Sequence, residues 1–263
     1  MRDHIERRTL FDTVADEYDE LRPSYPEALA EEIVALSGIP SDGRILEVGT
    51  GTGQATRLFA RKGYSITSLE LGPTLAAKAR ENLRSFPNAE VLNVPFEEWV
   101  VEQGAFDLAI SASAFHWIPS AIGFPRCAAA LKPGGSLAVF WNSDPRPSGG
   151  VYDAVQEAYS KCTPEMTRRV LPGRAEEVHF ERIRDFAESR LFEEPVLREY
   201  SWSRVLSAAD YVRLCCTYSD HIALPEDRRA ALCQAIKGAI EAHGGKIERL
   251  YLTRLYIARA SQA

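Results

Sequence analysis

The sequence predicts an α/β fold, a doubly wound and mostly parallel sheet with helices on both faces. Two observations predict it. Short apolar runs of β-rich composition alternate with helix-compatible segments over about 120 residues, and the first run opens straight into a glycine-rich turn. Strands joined by helical crossovers of this length pair in parallel, which needs apolar cover on both sides.

Each element follows from its own pattern. Residues 25–36 carry Leu29, Ile33 and Leu36 on one side of a helix, with Pro26 suited to the first turn and Ser37-Gly38-Ile39-Pro40 closing it. Residues 44–48, Arg-Ile-Leu-Glu-Val, read as a buried strand that runs into Gly49-Thr50-Gly51-Thr52-Gly53 and then a helix over 54–61. A strand is expected over 64–70, a helix over 73–83 with Pro in its first turn, and strands over 90–94 and 105–111. A helix over 119–131 stops at Lys132-Pro133-Gly134-Gly135, and a fifth strand follows over 136–141. Ligand is expected to gather at the carboxyl ends of these strands.

After Asn142 the rhythm changes. Residues 143–150 are rich in Pro, Gly and Ser, and a charged, mainly helical region extends to about residue 195, which reads as an insertion capping the sheet. A sixth strand is expected over 196–204, helices over 208–217 and 226–243, and a terminal strand over 246–260. The organisation is therefore 1–142 as an N-terminal segment and ligand-binding core, 143–195 as a helical cap insertion, and 196–263 as completion of the sheet.

Composition narrows the function. The chain of 263 residues is 45% hydrophobic, 26% charged and 10% aromatic, ample for a packed core. Its 31 basic and 37 acidic side chains give a net charge of −6 without a long Lys/Arg run, which weighs against a nucleic-acid partner. The apolar runs fall far short of the ~20 residues of a membrane span. Residues 1–8 lack the apolar segment of a secretory signal, so the expected location is cytoplasmic. Cysteines 127, 162, 215, 216 and 233 form an odd set with no Cys-x-x-Cys pair, which favours buried thiols over a zinc site or a disulfide framework. No metal is expected.

The central signal is Glu47-Val48-Gly49-Thr50-Gly51-Thr52-Gly53. Glycines there allow positive φ and let backbone N–H groups approach a ligand at a helix N-terminus. The spacing is Gly-x-Gly-x-Gly, with Gln54 where a dinucleotide fingerprint carries its third glycine. Glu47 would disfavour a pyrophosphate but accept from an ammonium group. Glu70 ends the second strand 21 residues after Gly49, where a carboxylate can take both hydroxyls of a ribose. An amino acid joined to a nucleoside describes S-adenosylmethionine.

On these residues the chain resembles the class I S-adenosylmethionine-dependent methyltransferases. Residues 45–53 look like their first motif, Leu69-Glu70 like the ribose-binding acidic motif, Phe106-Asp107-Leu108-Ala109-Ile110-Ser111 like the fourth-strand motif, and residues 131–137 like the turn into the fifth strand. Within that family, residues 11–19, Arg22-Pro23-Ser24-Tyr25-Pro26 and residues 113–118 are similar to small-molecule members related to trans-aconitate methyltransferases. The resemblance implies a Rossmann-like seven-stranded methyltransferase sheet with the last strand inserted antiparallel. It implies methyl transfer to a small-molecule acceptor, with S-adenosylhomocysteine as product and a monomer or homodimer as the working form. A carboxylate-bearing acceptor is one expectation within it.

The resemblance also assigns roles. Gly49, Gly51 and Gly53 would line the methionine portion, with Thr50 beside them. Glu47 would hold the ammonium, directly or through water, and Glu70 the ribose, with Leu71 next to it. Phe96-Glu97 is the candidate adenine slot, with Asn93 as another counterpart, and Ser111 ends the fourth strand beside the cofactor. Several residues keep two readings. His116 is a general base or, with Trp117, an aromatic pair that shapes the pocket. Tyr18 and Arg22 meet a substrate carboxylate or form a surface ion pair. Trp141 and Asn142 line the acceptor pocket or pack at the sheet edge. Arg168, Arg169 and Arg174 recruit an acidic acceptor or form a solvated cluster. Two rival functions stay open: a non-catalytic S-adenosylmethionine-binding sensor or scaffold, and a nicotinamide-dependent oxidoreductase.

Overall fold

The structure, a computed structural model, describes residues 10–145, 147–167 and 174–261. A 3-10 turn, Leu10–Val14, leads into α1 (Ala15–Leu21) and α2 (Glu27–Ser37). The core then alternates β1 (Arg44–Val48), α3 (Gln54–Ala60), β2 (Ser65–Glu70), α4 (Pro73–Leu83), β3 (Ala89–Asn93), β4 (Phe106–Ala112), α5 (Ser120–Ala130) and β5 (Leu131–Ser143). After it come α6 (Val151–Cys162), α7 (Pro164–Thr167), α8 (Arg174–Ser189) and β6 (Val196–Ser207). The chain then forms α9 (Ala208–Cys215), α10 (Ser219–Ile222), α11 (Glu226–Ala242) and β7 (Lys246–Arg259).

The seven strands form one sheet in the order β3-β2-β1-β4-β5-β7-β6. Strands β1 to β5 pair in parallel, and β7 lies antiparallel between β5 and β6. The direction of strand addition reverses between β1 and β4, so the crevice at their carboxyl ends is the switch point where ligands bind in open α/β sheets.

Both faces are covered, as the apolar runs require. Leu46, Val48, Leu69, Ala109, Leu137 and Val139 pack on one side with Phe124 of α5 and Phe186 of α8. Ile45, Ile66, Leu108, Ile110, Ala138 and Phe140 pack on the other with Leu29 and Ile33 of α2 and Phe59 of α3. A third apolar cluster joins Leu21 of α1, Val155 of α6, Leu214 of α9 and Ile236 of α11. This cluster holds the C-terminal helices beside the switch point.

Two boundaries differ from the expected ones by three residues or more. Strand β5 begins at Leu131 because Leu131 already pairs with Phe106, and the ladder slips before resuming at Ser136 opposite Leu108. The Pro-Gly-Gly segment thus lies inside the strand's span and absorbs the irregularity. Strand β6 runs to Ser207, since all of its residues find partners on β7. Among the described residues no helix is long and apolar enough to cross a membrane, and no group of three or more His, Cys, Asp or Glu could hold a metal ion.

Candidate functional site

A cavity of about 590 Å³ opens at the carboxyl ends of β1, β2, β4 and β5. That lies in the usual range for small-molecule and cofactor sites. The N-terminal turn, the loops after these strands and the C-terminal helices all contribute to its wall.

The glycine turn forms its floor. Gly49, Gly51 and Gly53 take φ of 75°, 57° and 85°, a region that L side chains rarely enter. A Cβ on Gly49 would stand 2.4 Å from the Cβ of Ala114, and one on Gly51 would meet the Tyr18 ring at 3.5 Å. Gly49 and Gly51 line the cavity, whereas Gly53 lies off its wall, before α3 and against Leu83. The expectation that the turn's N–H groups reach a ligand needs correction. Gly49 and Thr50 donate to the Leu69 carbonyl at 2.9 and 3.1 Å, and Gly51 donates to Glu70 Oε2 at 2.8 Å. The turn is tied to β2 by these bonds.

Glu70 sits at the end of β2 opposite Asn93 and lines the cavity. Its Oε1 also accepts from Gly72 N at 2.9 Å. Burial pushes its carboxyl up to about 7, against the N–H groups of Gly72 and Gly51, with Asp12 adding to the rise. Asn93 spends its amide on the Glu70 and Leu71 carbonyls at 2.9 and 3.0 Å, which fixes the loop rather than presenting the amide to a ligand. Leu71, Phe96 and Glu97 line the cavity, with Phe96 stacked on Trp99.

Three other sequence candidates stand behind the wall. Glu47 is fully buried, and its Oε2 accepts from Thr50, Thr56 and Ser68 hydroxyls at 2.8, 2.5 and 2.9 Å. Its other oxygen, Oε1, has no hydrogen-bond partner among the described residues. Burial raises its pKa, and the three hydroxyls oppose the rise. Thr50 is one of those hydroxyls. Ser111 is also fully buried and donates to the Val48 carbonyl at 2.7 Å. Parallel β1 and β4 are adjacent there, so Ser111 pins the strand end that carries the turn.

The N-terminal residues arch over this floor. Asp12 accepts from Thr74 Oγ1 and Leu75 N at 2.8 and 2.9 Å, clasping the start of α4. Phe11, Tyr18 and Arg22 then line the cavity. Among the described residues Arg22 forms neither a carboxylate clamp nor a surface ion pair: its Nε and Nη2 donate to Thr217 Oγ1 and O at 2.9 and 2.6 Å, and its guanidinium lies over the Tyr18 and Tyr218 rings. The N-terminal turn is thereby fastened to the loop after α9.

After β4, Ser113 adopts φ 55° and hydrogen-bonds to Tyr25 Oη at 2.9 Å, a strained backbone held at the cavity wall. His116, Trp117, Trp141 and Asn142 line the same wall. Trp141 Nε1 donates to His116 Nδ1 at 3.0 Å, while Asn142 is held by Ser24 and Thr253. Arg168 and Arg169 lie outside the described residues, and so does the side chain of Arg174, where α8 begins.

Sequence reasoning missed the part of the wall that the C-terminal half supplies. Arg249 of β7, buried and paired with Asp144 at 2.9 Å, faces the cavity with Tyr211 and Tyr218. Beside them stand Tyr159 of α6 and Asp220 and His221 of α10. The available signal was the polar run Thr217-Tyr218-Ser219-Asp220-His221 between two helices, where His and Asp are adjacent.

Comparison with known proteins agrees with this architecture. Residues 45–135 match the family model described as a methyltransferase domain. A malonyl-[acyl-carrier protein] O-methyltransferase of a Paenibacillus species is 28% identical over 76% of this chain and 68% of its own length. A trans-aconitate 2-methyltransferase of Variovorax paradoxus is 31% identical over 42% of each protein. For several curated relatives, the match spans about half of their length. Among solved structures, a proposed type II methyltransferase from Anaeromyxobacter dehalogenans superposes with a TM-score of 0.63 at 20% identity, covering 90% of this chain and 97% of that one. A phosphoethanolamine N-methyltransferase of Haemonchus contortus, in complex with S-adenosyl-L-methionine, does so at 0.53 and 16% identity, covering 95% and 57%. Residues 45–135, which run from β1 through the glycine turn into β5, thus match a methyltransferase domain, and the whole sheet has the fold of the solved methyltransferase structures it superposes on.

Proposed function

We propose that the chain transfers a methyl group from S-adenosylmethionine to a small-molecule acceptor. The observation that carries this reading is the joint between Gly51 and Glu70: a buried carboxylate braces a positive-φ glycine turn at the switch point, and both face one cavity. The residues fit the cofactor. Glu70, whose backbone bonds occupy one direction on each oxygen, keeps acceptor capacity for ribose hydroxyls. Gly49 and Gly51 allow the methionine portion to approach the backbone. The unpartnered Oε1 of Glu47 beneath the turn supplies negative potential for the ammonium. Phe96 and Glu97 offer the adenine a flat apolar face and a polar edge.

When bound, S-adenosylmethionine supplies an already activated methyl group, so the protein's share is positioning and exclusion of water. The clasp of Asp12 on α4 and the bonds from Arg22 to Thr217 close the roof for that purpose. The cavity's volume of about 590 Å³ supports a small acceptor. Of the two arginines that line the cavity among the described residues, Arg249 is neutralised by Asp144, while Arg22 donates to the uncharged Thr217.

Calorimetry with S-adenosylhomocysteine and with NAD tests the cofactor. Binding of the first and not the second is expected, and the reverse result overturns the proposal. Release of labelled methyl to a metabolite panel then separates an enzyme from a sensor.

A further inference from the structure

On the wall of the cavity that Gly49 and Gly51 also line, three side chains form a continuous hydrogen-bonded line. Tyr159 Oη lies 2.8 Å from His221 Nε2, and His221 Nδ1 lies 2.8 Å from Asp220 Oδ1. The same carboxylate oxygen accepts from the His221 backbone N–H at 2.9 Å, which fixes the Asp220 rotamer. His221 is 4% exposed, and its ring is held edge-on to Tyr159 at 5.6 Å and against Tyr218 at 5.9 Å. An ionised carboxylate only accepts, so Nδ1 carries a proton, and in the neutral ring Nε2 is bare and accepts from the phenol. Each bond therefore has one direction, from Tyr159 through His221 to Asp220.

We infer that Tyr159, His221 and Asp220 form a proton relay that deprotonates the methyl acceptor, and that the acceptor is accordingly a neutral O–H or N–H compound, such as a phenol, alcohol or amine, rather than a carboxylate. This rests on the methyl-transfer reading above. A carboxylate nucleophile arrives without a proton and gives such a line nothing to do. For a protic acceptor, the heteroatom's lone pair forms the new bond to the methyl carbon, and the carbon–sulfur bond breaks with its electrons going to sulfur. The acceptor's proton passes to Tyr159 Oη, while the phenol proton passes to His221 Nε2. The resulting imidazolium faces the Asp220 carboxylate and later returns its proton to solvent.

The electrostatics agree with a handover rather than a standing phenolate. Burial pushes the Tyr159 phenol well above its ordinary value, and neighbouring Cys215 and Tyr211 add to the rise. Asp220 is held below its ordinary value: burial raises it, but the hydrogen bonds from the His221 ring and backbone N–H outweigh that. Among the described residues, other titratable or charged groups packed around the line are Tyr211 and Cys215 on α9, Cys216 and Tyr218 just after it, and Arg229 on α11.

The test begins with calorimetry of S-adenosylhomocysteine on wild type and on Tyr159→Phe, His221→Gln and Asp220→Asn. If wild type does not bind it, the cofactor reading fails and the relay falls with it. With binding established, labelled S-adenosylmethionine is offered with phenols, aliphatic alcohols, primary amines and carboxylates including trans-aconitate. Transfer to an O–H or N–H class is expected, with kcat reduced about a hundredfold in Tyr159→Phe while KM and S-adenosylhomocysteine affinity change less than threefold. The rise of kcat with pH should flatten in the same variant. A variant-independent readout is the imidazole nitrogen spectrum of wild-type protein by NMR, in which Nδ1 should be protonated and Nε2 bare. Transfer confined to carboxylates, transfer to no compound in the panel, a wild-type kcat in Tyr159→Phe, or a proton on Nε2 each overturns the inference.

Discussion

The indole of Trp141 donates to Nδ1 of His116 at 3.0 Å. Because an indole N–H can only donate, Nδ1 is the acceptor and the neutral ring carries its proton on Nε2. Neither nitrogen can then take a proton from a substrate without breaking that arrangement. His116→Ala should leave the shape of the kcat pH profile unchanged and act mainly through KM. A flattened profile would instead make His116 the base.

Glu70 predicts a pH signature. Its folded pKa is raised from 4.5 to about 7, so the stability it contributes is present below pH 4.5 and is lost as pH rises through 7. The loss is on the order of 3 kcal/mol. Glu70→Gln should lack this decline in urea titrations between pH 5 and 8, although one backbone bond is lost at every pH.

Hydroxyl donors on a ligand favour the ionised carboxylate, so cofactor binding near pH 6.5 should release a fraction of a proton. Calorimetry of S-adenosylhomocysteine in two buffers of different ionisation enthalpy measures this directly. No release at pH 6.5 would place the hydroxyls elsewhere.

Gly49→Ala combines an unfavourable φ of 75° with a Cβ placed 2.4 Å from Ala114. A cost of about 1–3 kcal/mol in stability is expected from the backbone alone. Cofactor affinity should fall by at least tenfold, because the floor of the cavity must shift.

Ser111→Ala separates support from contact. It leaves the buried Val48 carbonyl without the 2.7 Å hydroxyl, which should cost about 1–3 kcal/mol in chemical denaturation. S-adenosylhomocysteine affinity should change less than threefold. A larger loss would return Ser111 to the cofactor's own contacts.

The unit from β1 through the glycine turn to α3 was legible because everything that forms it is local: a buried apolar strand, glycines that need positive φ, and a helix start. Glu70 was legible because its distance along the chain is fixed by one crossover. Its second task, receiving Gly51 N, was not, since that bond depends on how β1 and β2 lie in register. The commitment of Arg22 to Thr217 joins residues 195 positions apart, and Tyr159 meets His221 across 62. No local pattern encodes either meeting. Residue chemistry pointed toward Glu47 as a ligand-facing charge, but the hydroxyls of Thr50, Thr56 and Ser68 drew it inward.

The position of β7 has a consequence for how the molecule is made. Its residues pair with β5 partners more than a hundred positions earlier, as Ala258 does with Leu137. Until β7 arrives, β5 is an open edge able to recruit a foreign strand. Sheet closure is therefore a late, slow event in synthesis. The wall bearing Arg249 can take shape only then, so the nascent chain has its glycine turn well before it has a finished pocket.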